Sequence, residues 1–197
     1  MPKIIPELGP KILQIAARHF ETKGYQGTDM KSLAAEVGIS VGTLYNYYKS
    51  KPVLFLEVSL LWKAVLSERL VRQLDSEETP LVKLRQTLVM LYEDMVAYTG
   101  RWREFTQSGE KFDRDSAIGR RFREDNEDLH SRIQALLQVV WKDRPDTQEL
   151  LADPHHRFAQ LIVSSIMQLV MKAGDSPDSN LAFVKAWVDF LAPLPPR

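Results

Sequence analysis

Cysteine is missing from this 197-residue chain. That rules out a disulfide framework and a thiolate metal site. An excess of one charge is missing too, because 26 Lys and Arg face 26 Asp and Glu, so net charge selects no class of partner. No apolar run approaches the ~20 residues of a membrane span. The first ten residues hold Lys3 but no apolar stretch of the kind a signal peptide needs. A cytoplasmic protein is expected. No glycine-rich phosphate loop is present, and His19, His130, His155 and His156 do not fall at HExxH spacing. The expectation is therefore no metal, no cofactor and no enzyme. The acid pairs Glu124–Asp125 and Glu127–Asp128 read as the solvated face of a helix. Period-2 alternation is also lacking, so no strand is expected.

What is there is helix, nearly end to end. Ile12, Leu13, Ala16, Ala17 and Phe20 repeat at helical spacing, with Pro10 at the entry and Gly24 as the stop. Thr28 reads as the cap of a short second helix that Gly38 closes, and Ser40 as the cap of a third, running to about Tyr48. Ser50 caps a fourth, with Pro52 in its first turn, where a missing N–H does no harm. Longer helices follow at 54–74, 81–99 (closed by Gly100), 116–141 (stopped near Pro145), 154–173 and 177–191, with a short piece at 101–108 and stops at Gly174 and Pro193. The tails, 1–9 and 193–197, read as frayed.

Three short helices in the first ~50 residues, with a tight glycine turn between the second and third, make a helix-turn-helix candidate. Ala34 and Ala35 are small enough for close crossing. Gly38 tolerates a positive φ, and Ile39 supplies an apolar plug. Leu44 anchors the third helix, and Val41, Thr43, Tyr45, Asn46 and Tyr47 surround it. Charge distribution agrees. Residues 1–51 carry seven Lys or Arg and four Asp or Glu, a mildly basic head on an acidic body.

The run Gly24-Tyr25, Thr28, Leu33-Ala34, Val37-Gly38-Ile39-Ser40, Gly42-Thr43-Leu44-Tyr45, Tyr47-Tyr48 and Ser50-Lys51 resembles the N-terminal domain of the tetracycline-repressor (TetR) family. The resemblance covers about residues 10–56 and stops short of the body. Tyr48 stands where phenylalanine is commoner, and Pro52 where an acid is common. The resemblance implies an all-α fold of about nine helices, a homodimer, and an inducible repressor of a palindromic operator. It divides the chain into a DNA-binding domain at 1–51 and a ligand-binding and dimerisation domain at 52–197. The DNA-binding set is then Thr28, Ser40, Val41, Gly42, Thr43, Tyr45, Asn46, Tyr47 and Lys51. Thr28, Tyr47 and Lys51 are expected at phosphates, and Ser40 and Thr43 at phosphates or base edges. Asn46 suits adenine N6 and N7, Val41 a thymine methyl, and Gly42 a close backbone approach.

A repressor of this kind needs an apolar chamber for its effector. Two helical stripes offer one: Leu81, Leu84, Leu88, Leu91, Met95, Tyr98 and Trp102, with Tyr92 beside it, and Ile118, Phe122, Asn126, Leu129, Ile133, Leu136 and Val140. Trp62, Leu88, Tyr92, Met95, Trp102, Phe105, Phe122, Asn126 and Ile133 are the ligand candidates, with Phe112 nearby. Each is also an ordinary core residue by type. A hydrophobic or amphipathic small molecule is the expected effector. The last two helices are apolar on more than one side, so Phe158, Ile162, Ser165, Ile166, Leu169, Val184, Trp187 and Val188, with Leu181 and Leu191 and with Phe183 beside them, are expected at a dimer seam. The rival reading is a helical ligand- or protein-binding module without operator-specific DNA binding. Intact Thr28, Tyr47 and Lys51 count against it.

Overall fold

The computed structural model describes residues 7–111, 113, 115–172 and 177–191. Phe112, Gly174, Pro193 and the side chain of Leu191 lie outside the described residues. The fold is all-helical: nine helical spans and no strand among the described residues. They are α1 (Leu8–Gly27), α2 (Met30–Val37), α3 (Val41–Tyr47), α4 (Lys51–Leu74), α5 (Pro80–Gln107), α6 (Ala117–Val140), α7 (Pro145–Leu151), α8 (Arg157–Lys172) and α9 (Pro177–Leu191).

Internal contacts divide the chain into two compact units, each discontinuous in sequence. The first comprises Met1–Ala64 and Gly100–Arg123, the second Val65–Thr99 and Glu124–Arg197. Helix α5 therefore belongs to both, and the partition falls between Thr99 and Gly100.

The first unit closes over Ile12, Ala16, Phe20, Tyr25, Leu33, Ala34, Leu44, Leu54 and Phe55, none of which is exposed at all. Helix α1 starts at Leu8, which is itself buried, so the expected N-terminal tail ends two residues earlier than residue 9. Pro10 is then the third residue of α1, a position whose N–H would have no intrahelical acceptor, so the one that proline lacks is not missed. Gly24 does stop the first helical run: at φ 72° and ψ −179° it breaks α1, and one further turn carries the chain to Gly27. Phe20, Tyr25, Phe55 and Phe105 interlock, with Tyr25 to Phe55, Tyr25 to Phe105 and Phe55 to Phe105 centroids each 5.0 Å apart. Each such pair adds roughly 0.5–1.5 kcal/mol beyond its buried area.

The second unit is built from the end of α4, the first 20 residues of α5, the body of α6, and α7 to α9. Leu84, Leu88, Leu91, Ile133, Leu137, Leu151, Ala159, Ile162, Ile166, Val184 and Val188 form its core, each at most 1% exposed. Three boundaries differ from expectation. Gly100 does not end a helix: α5 runs through it to Gln107. A glycine inside a helix costs only ~1 kcal/mol, and the burial of Phe105 a turn and a half later outweighs that. Pro145 does more than stop α6, because it opens α7. A seven-residue helix is too short to show its period in sequence. The side-chain amides of Gln134 and Gln138 cap α7 by donating to the Leu151 carbonyl at 2.7 and 2.8 Å. Helix α8 starts at Arg157, not Pro154. Asp153 accepts from the Arg157 N–H and from its guanidinium Nε, both at 2.9 Å. That pairing holds the Asp153 carboxyl well below the usual range.

Candidate nucleic-acid interface

Three local devices shape α2, the turn and α3. The first corrects the sequence reading. Asp29, not Thr28, is the N-cap of α2: its carboxylate accepts from the Ser32 N–H at 2.8 Å and the Ser32 hydroxyl at 2.9 Å. These hydrogen bonds hold the Asp29 carboxyl below its ordinary value. Thr28 is buried, and its hydroxyl donates back to the Gly24 carbonyl at 2.7 Å. Ahead of a helix, threonine and aspartate are interchangeable by type, so spacing alone does not decide between neighbours.

The second device is the glycine turn. Gly38 sits at φ 84° and ψ 33°, its N–H bonding Ala35 O at 3.2 Å, while the Ile39 N–H bonds Ala34 O at 3.0 Å. This is the two-bond helix ending that needs a left-handed residue. Ile39 packs against the core of the unit, as an apolar plug should. The third device is Ser40. Its Oγ accepts from the Thr43 N–H at 3.0 Å and lies 2.8 Å from the Thr43 hydroxyl.

Helix α3 is pinned by one fully buried residue, Leu44. Around it Gly42, Tyr45 and Asn46 are exposed, while Val41, Thr43 and Tyr47 are half-buried. Val41 and Tyr47 also lend one side to the core, and Tyr48 closes the inner face. Lys51 opens α4, where the Ser50 hydroxyl caps the Val53 N–H at 3.4 Å. Its ammonium stands 4.4 Å from the centroid of the Tyr25 ring. Nine DNA-binding candidates were named from sequence. Eight of them thus fall on α3, its cap and the start of α4, and Thr28 is the one whose side chain is buried.

The pose of α2 against α1 is fixed by polar contacts. Lys11 donates to the Val37 carbonyl at 3.0 Å. Glu36 is paired with Arg18, and its other oxygen lies 2.5 Å from Nε2 of the buried His19. The hydrogen bond with His19, then the Arg18 charge, hold the Glu36 carboxyl below its usual value. The turn before α2 is gripped from another segment. The Gln26 N–H donates to Glu104 at 3.2 Å, and the Tyr25 hydroxyl donates to Glu110 at 3.0 Å. Burial, then Glu110, push the Tyr25 phenol far above its ordinary value. Nothing in the sequence marked Glu104 or Glu110.

The ligand candidates divide between the two units. Trp62, Trp102, Phe105 and Phe122 belong to the first. There Trp102 packs on Phe55 and Phe105 and stacks on Phe122 at 5.4 Å. Leu88, Tyr92, Met95, Asn126 and Ile133 belong to the second, where Asn126 is half-buried and the other four are core. The stripe expected at a dimer seam also divides. Ile162, Ile166, Val184 and Val188 are at most 1% exposed in the single chain. Phe158, Ser165, Leu169 and Trp187 are half-buried. Phe190 is 83% exposed near the end of α9, and the other large outward apolar groups of the two helices are Leu161 and Phe183, at 61% and 55% exposure. Leu161 and Phe183 flank a surface groove of about 650 Å³ together with Ser164, Ser165, Gln168, Leu169 and Trp187. Phe183 stands beside the chosen stripe, and Leu161, one residue before Ile162, is the position that the stripe passed over.

Residues 12–58 match the family model described as bacterial regulatory proteins, tetR family. The nucleoid occlusion factor SlmA of Photobacterium profundum is 30% identical over 135 residues, which cover 68% of this chain and 66% of that protein. The transcriptional repressor KstR2 of Mycolicibacterium smegmatis is 32% identical over 83 residues, 42% of this chain and 40% of its own length. The chain thus spans just under two thirds of the first relative and less than half of the second. A transcriptional regulator of the TetR/AcrR family from Thermobifida fusca has the same fold, with a TM-score of 0.69 at 16% identity over 92% of this chain and 96% of that one. Helix order, a capped glycine turn and the matched head lead to one assignment: this chain belongs to the TetR family, as a DNA-binding transcription regulator with a helix-turn-helix head.

Proposed function

We propose that this regulator is a repressor that leaves a palindromic operator when a hydrophobic or amphipathic small molecule binds its body. The observation that carries the reading is the surface of α3, where Thr43, Tyr45 and Asn46 stand around a buried Leu44. Residues 1–51 form the DNA-binding part and 52–197 the ligand-binding and dimerisation part. Asn46 pairs with an adenine edge and Val41 meets a thymine methyl. Ser40, Thr43, Tyr47 and Lys51 hold phosphates, Gly42 allows a close backbone approach, and Tyr45 lies along a sugar. Thr28 serves through its backbone and its bond to Gly24, since its hydroxyl is already engaged. The protein acts as a regulator in the cytoplasm, without catalysis. Among the described residues no helix is long and apolar enough to cross a membrane, and no group of acids and histidines is placed to hold a metal ion.

Two copies are needed to read a two-fold operator, with half-sites separated by a whole number of turns, each about 34–36 Å. The outward face of α8 and α9, centred on Leu161, Phe183 and Trp187, is the surface that a second copy covers in this reading. A relative named as a transcriptional repressor supports the sign of regulation. The test is selection of a duplex from a random library by the full-length protein. The Kd for that duplex is then measured while a panel of apolar and amphipathic small molecules is added. A palindromic consensus and at least one releasing compound are expected. A consensus without two-fold symmetry, or affinity that no compound alters, would sink the inducible-repressor reading.

A further inference from the structure

Gly24 carries a contact that its neighbours do not. Its φ of 72° suits glycine, and a Cβ built there would collide with both carboxylate oxygens of Glu104. No side chain fits between them. Glu104 uses that access to accept the Gln26 N–H at 3.2 Å, two residues past the break in α1. Six residues further on, Glu110 accepts the Tyr25 hydroxyl at 3.0 Å. Tyr25 is fully buried beneath the Lys51 ammonium, 4.4 Å from its ring centroid. The Gly24 carbonyl, in turn, holds the Thr28 hydroxyl just ahead of α2. Two acids from 100–111 thereby grip both sides of the turn that leads into the helix-turn-helix, and one of them seats the tyrosine under a lysine proposed at phosphate.

We infer that Glu104 and Glu110 are positioning residues for DNA binding. They set the turn ahead of α2 and the seat of Lys51 without touching DNA themselves. The inference rests on the DNA-binding reading above. Glu104 lies on α5, the same helix whose first 20 residues belong to the second unit.

The experiment uses the full chain and the duplex that the wild-type protein selects from a random library. Glu104→Ala should weaken binding about tenfold, and Glu104→Gln, whose amide oxygen still accepts, should restore most of it. Amide exchange at Gln26 should accelerate about tenfold in Glu104→Ala and not in Glu104→Gln. In a Gly24→Ala background, where the new Cβ already displaces the carboxylate, adding Glu104→Ala should cost nothing more. Glu110→Ala should weaken binding and loosen Tyr25, read from its ring fluorescence or NMR signal. If Glu104→Ala binds within twofold of wild type, if the glutamine variant is as weak as the alanine one, or if the two substitutions at 24 and 104 add, the inference fails. A wild-type protein that selects no duplex would instead remove the DNA reading on which it rests.

Discussion

Two glycines offer a controlled comparison, because a Cβ added to either would meet nothing within 4 Å. Gly38 ends α2 at φ 84°, while Gly100 lies inside α5 and is not among the positive-φ glycines. Packing drops out, so backbone preference alone decides the sign. An alanine at 38 must occupy the left-handed region, at roughly 1–2 kcal/mol. An alanine at 100 gains helix propensity and loses unfolded-chain entropy, worth about 0.5–1 kcal/mol in favour of the fold. For a chain of this size each kcal/mol moves Tm by about 2–4 °C. Gly38→Ala should therefore lower Tm by roughly 2–8 °C, and Gly100→Ala should raise it by about 1–4 °C. Thermal unfolding followed by circular dichroism measures both shifts, and urea unfolding with unchanged m-values is the check that only stability moved. Exchange of the Ile39 amide, which bonds Ala34 O at 3.0 Å, reports the turn itself and should quicken only in Gly38→Ala. Shifts of the same sign at the two positions would refute the argument from conformation.

The other expectations concern function, assembly and acid. Lys51→Ala should weaken binding to all duplexes alike and reduce the salt slope by about one unit, whereas Asn46→Ala should cost about 1–3 kcal/mol at a single base pair. Unchanged salt dependence for Lys51→Ala would remove it from the phosphate set. Phe183→Asp should give a folded monomer by light scattering, while Ile166→Asp, buried in its own unit, should give a misfolded chain. A folded, dimeric Phe183→Asp would move the seam elsewhere. Glu36, held below the ordinary glutamate value near 4.5 by His19 and Arg18, contributes stability that is present above that value and lost as pH falls through its lowered one. Glu36→Gln should flatten the acid limb of a stability-versus-pH curve, and an identical limb would contradict the pairing.

The head was legible because its constraints are local. Gly38 and Ser40 each act within four residues of themselves, so spacing in the chain is spacing in the fold, and Leu44 stood out as the apolar centre of a short helix although its packing partners lie elsewhere in the core. Asp29 was missed for Thr28 because both satisfy the same cap rule and only the fold shows which one turns inward. The body was legible as helices but not as faces. Ile162 and Leu161 are adjacent and equally apolar, and which of them meets the core depends on where α5, α6 and α9 lie. Glu104 and Glu110 left no trace, since their partners are 78 and 85 residues away and an acid on a helix usually faces water.

The unbroken course of α5 constrains how the chain can change in length. Leu84, Leu88 and Leu91 serve one core and Phe105 another, from a single continuous helix. Inserting or deleting a single residue between Met95 and Trp102 turns everything beyond it by about 100°. Phe105 would leave the Tyr25 cluster, and Glu104 would leave Gln26, although every residue type was kept. The turns at 75–79 and 152–156 carry no such phase and can absorb extra residues. Across a lineage, α5 should therefore vary at its exposed positions but hold its residue count, so that an indel there is read as a frameshift of the surface it presents.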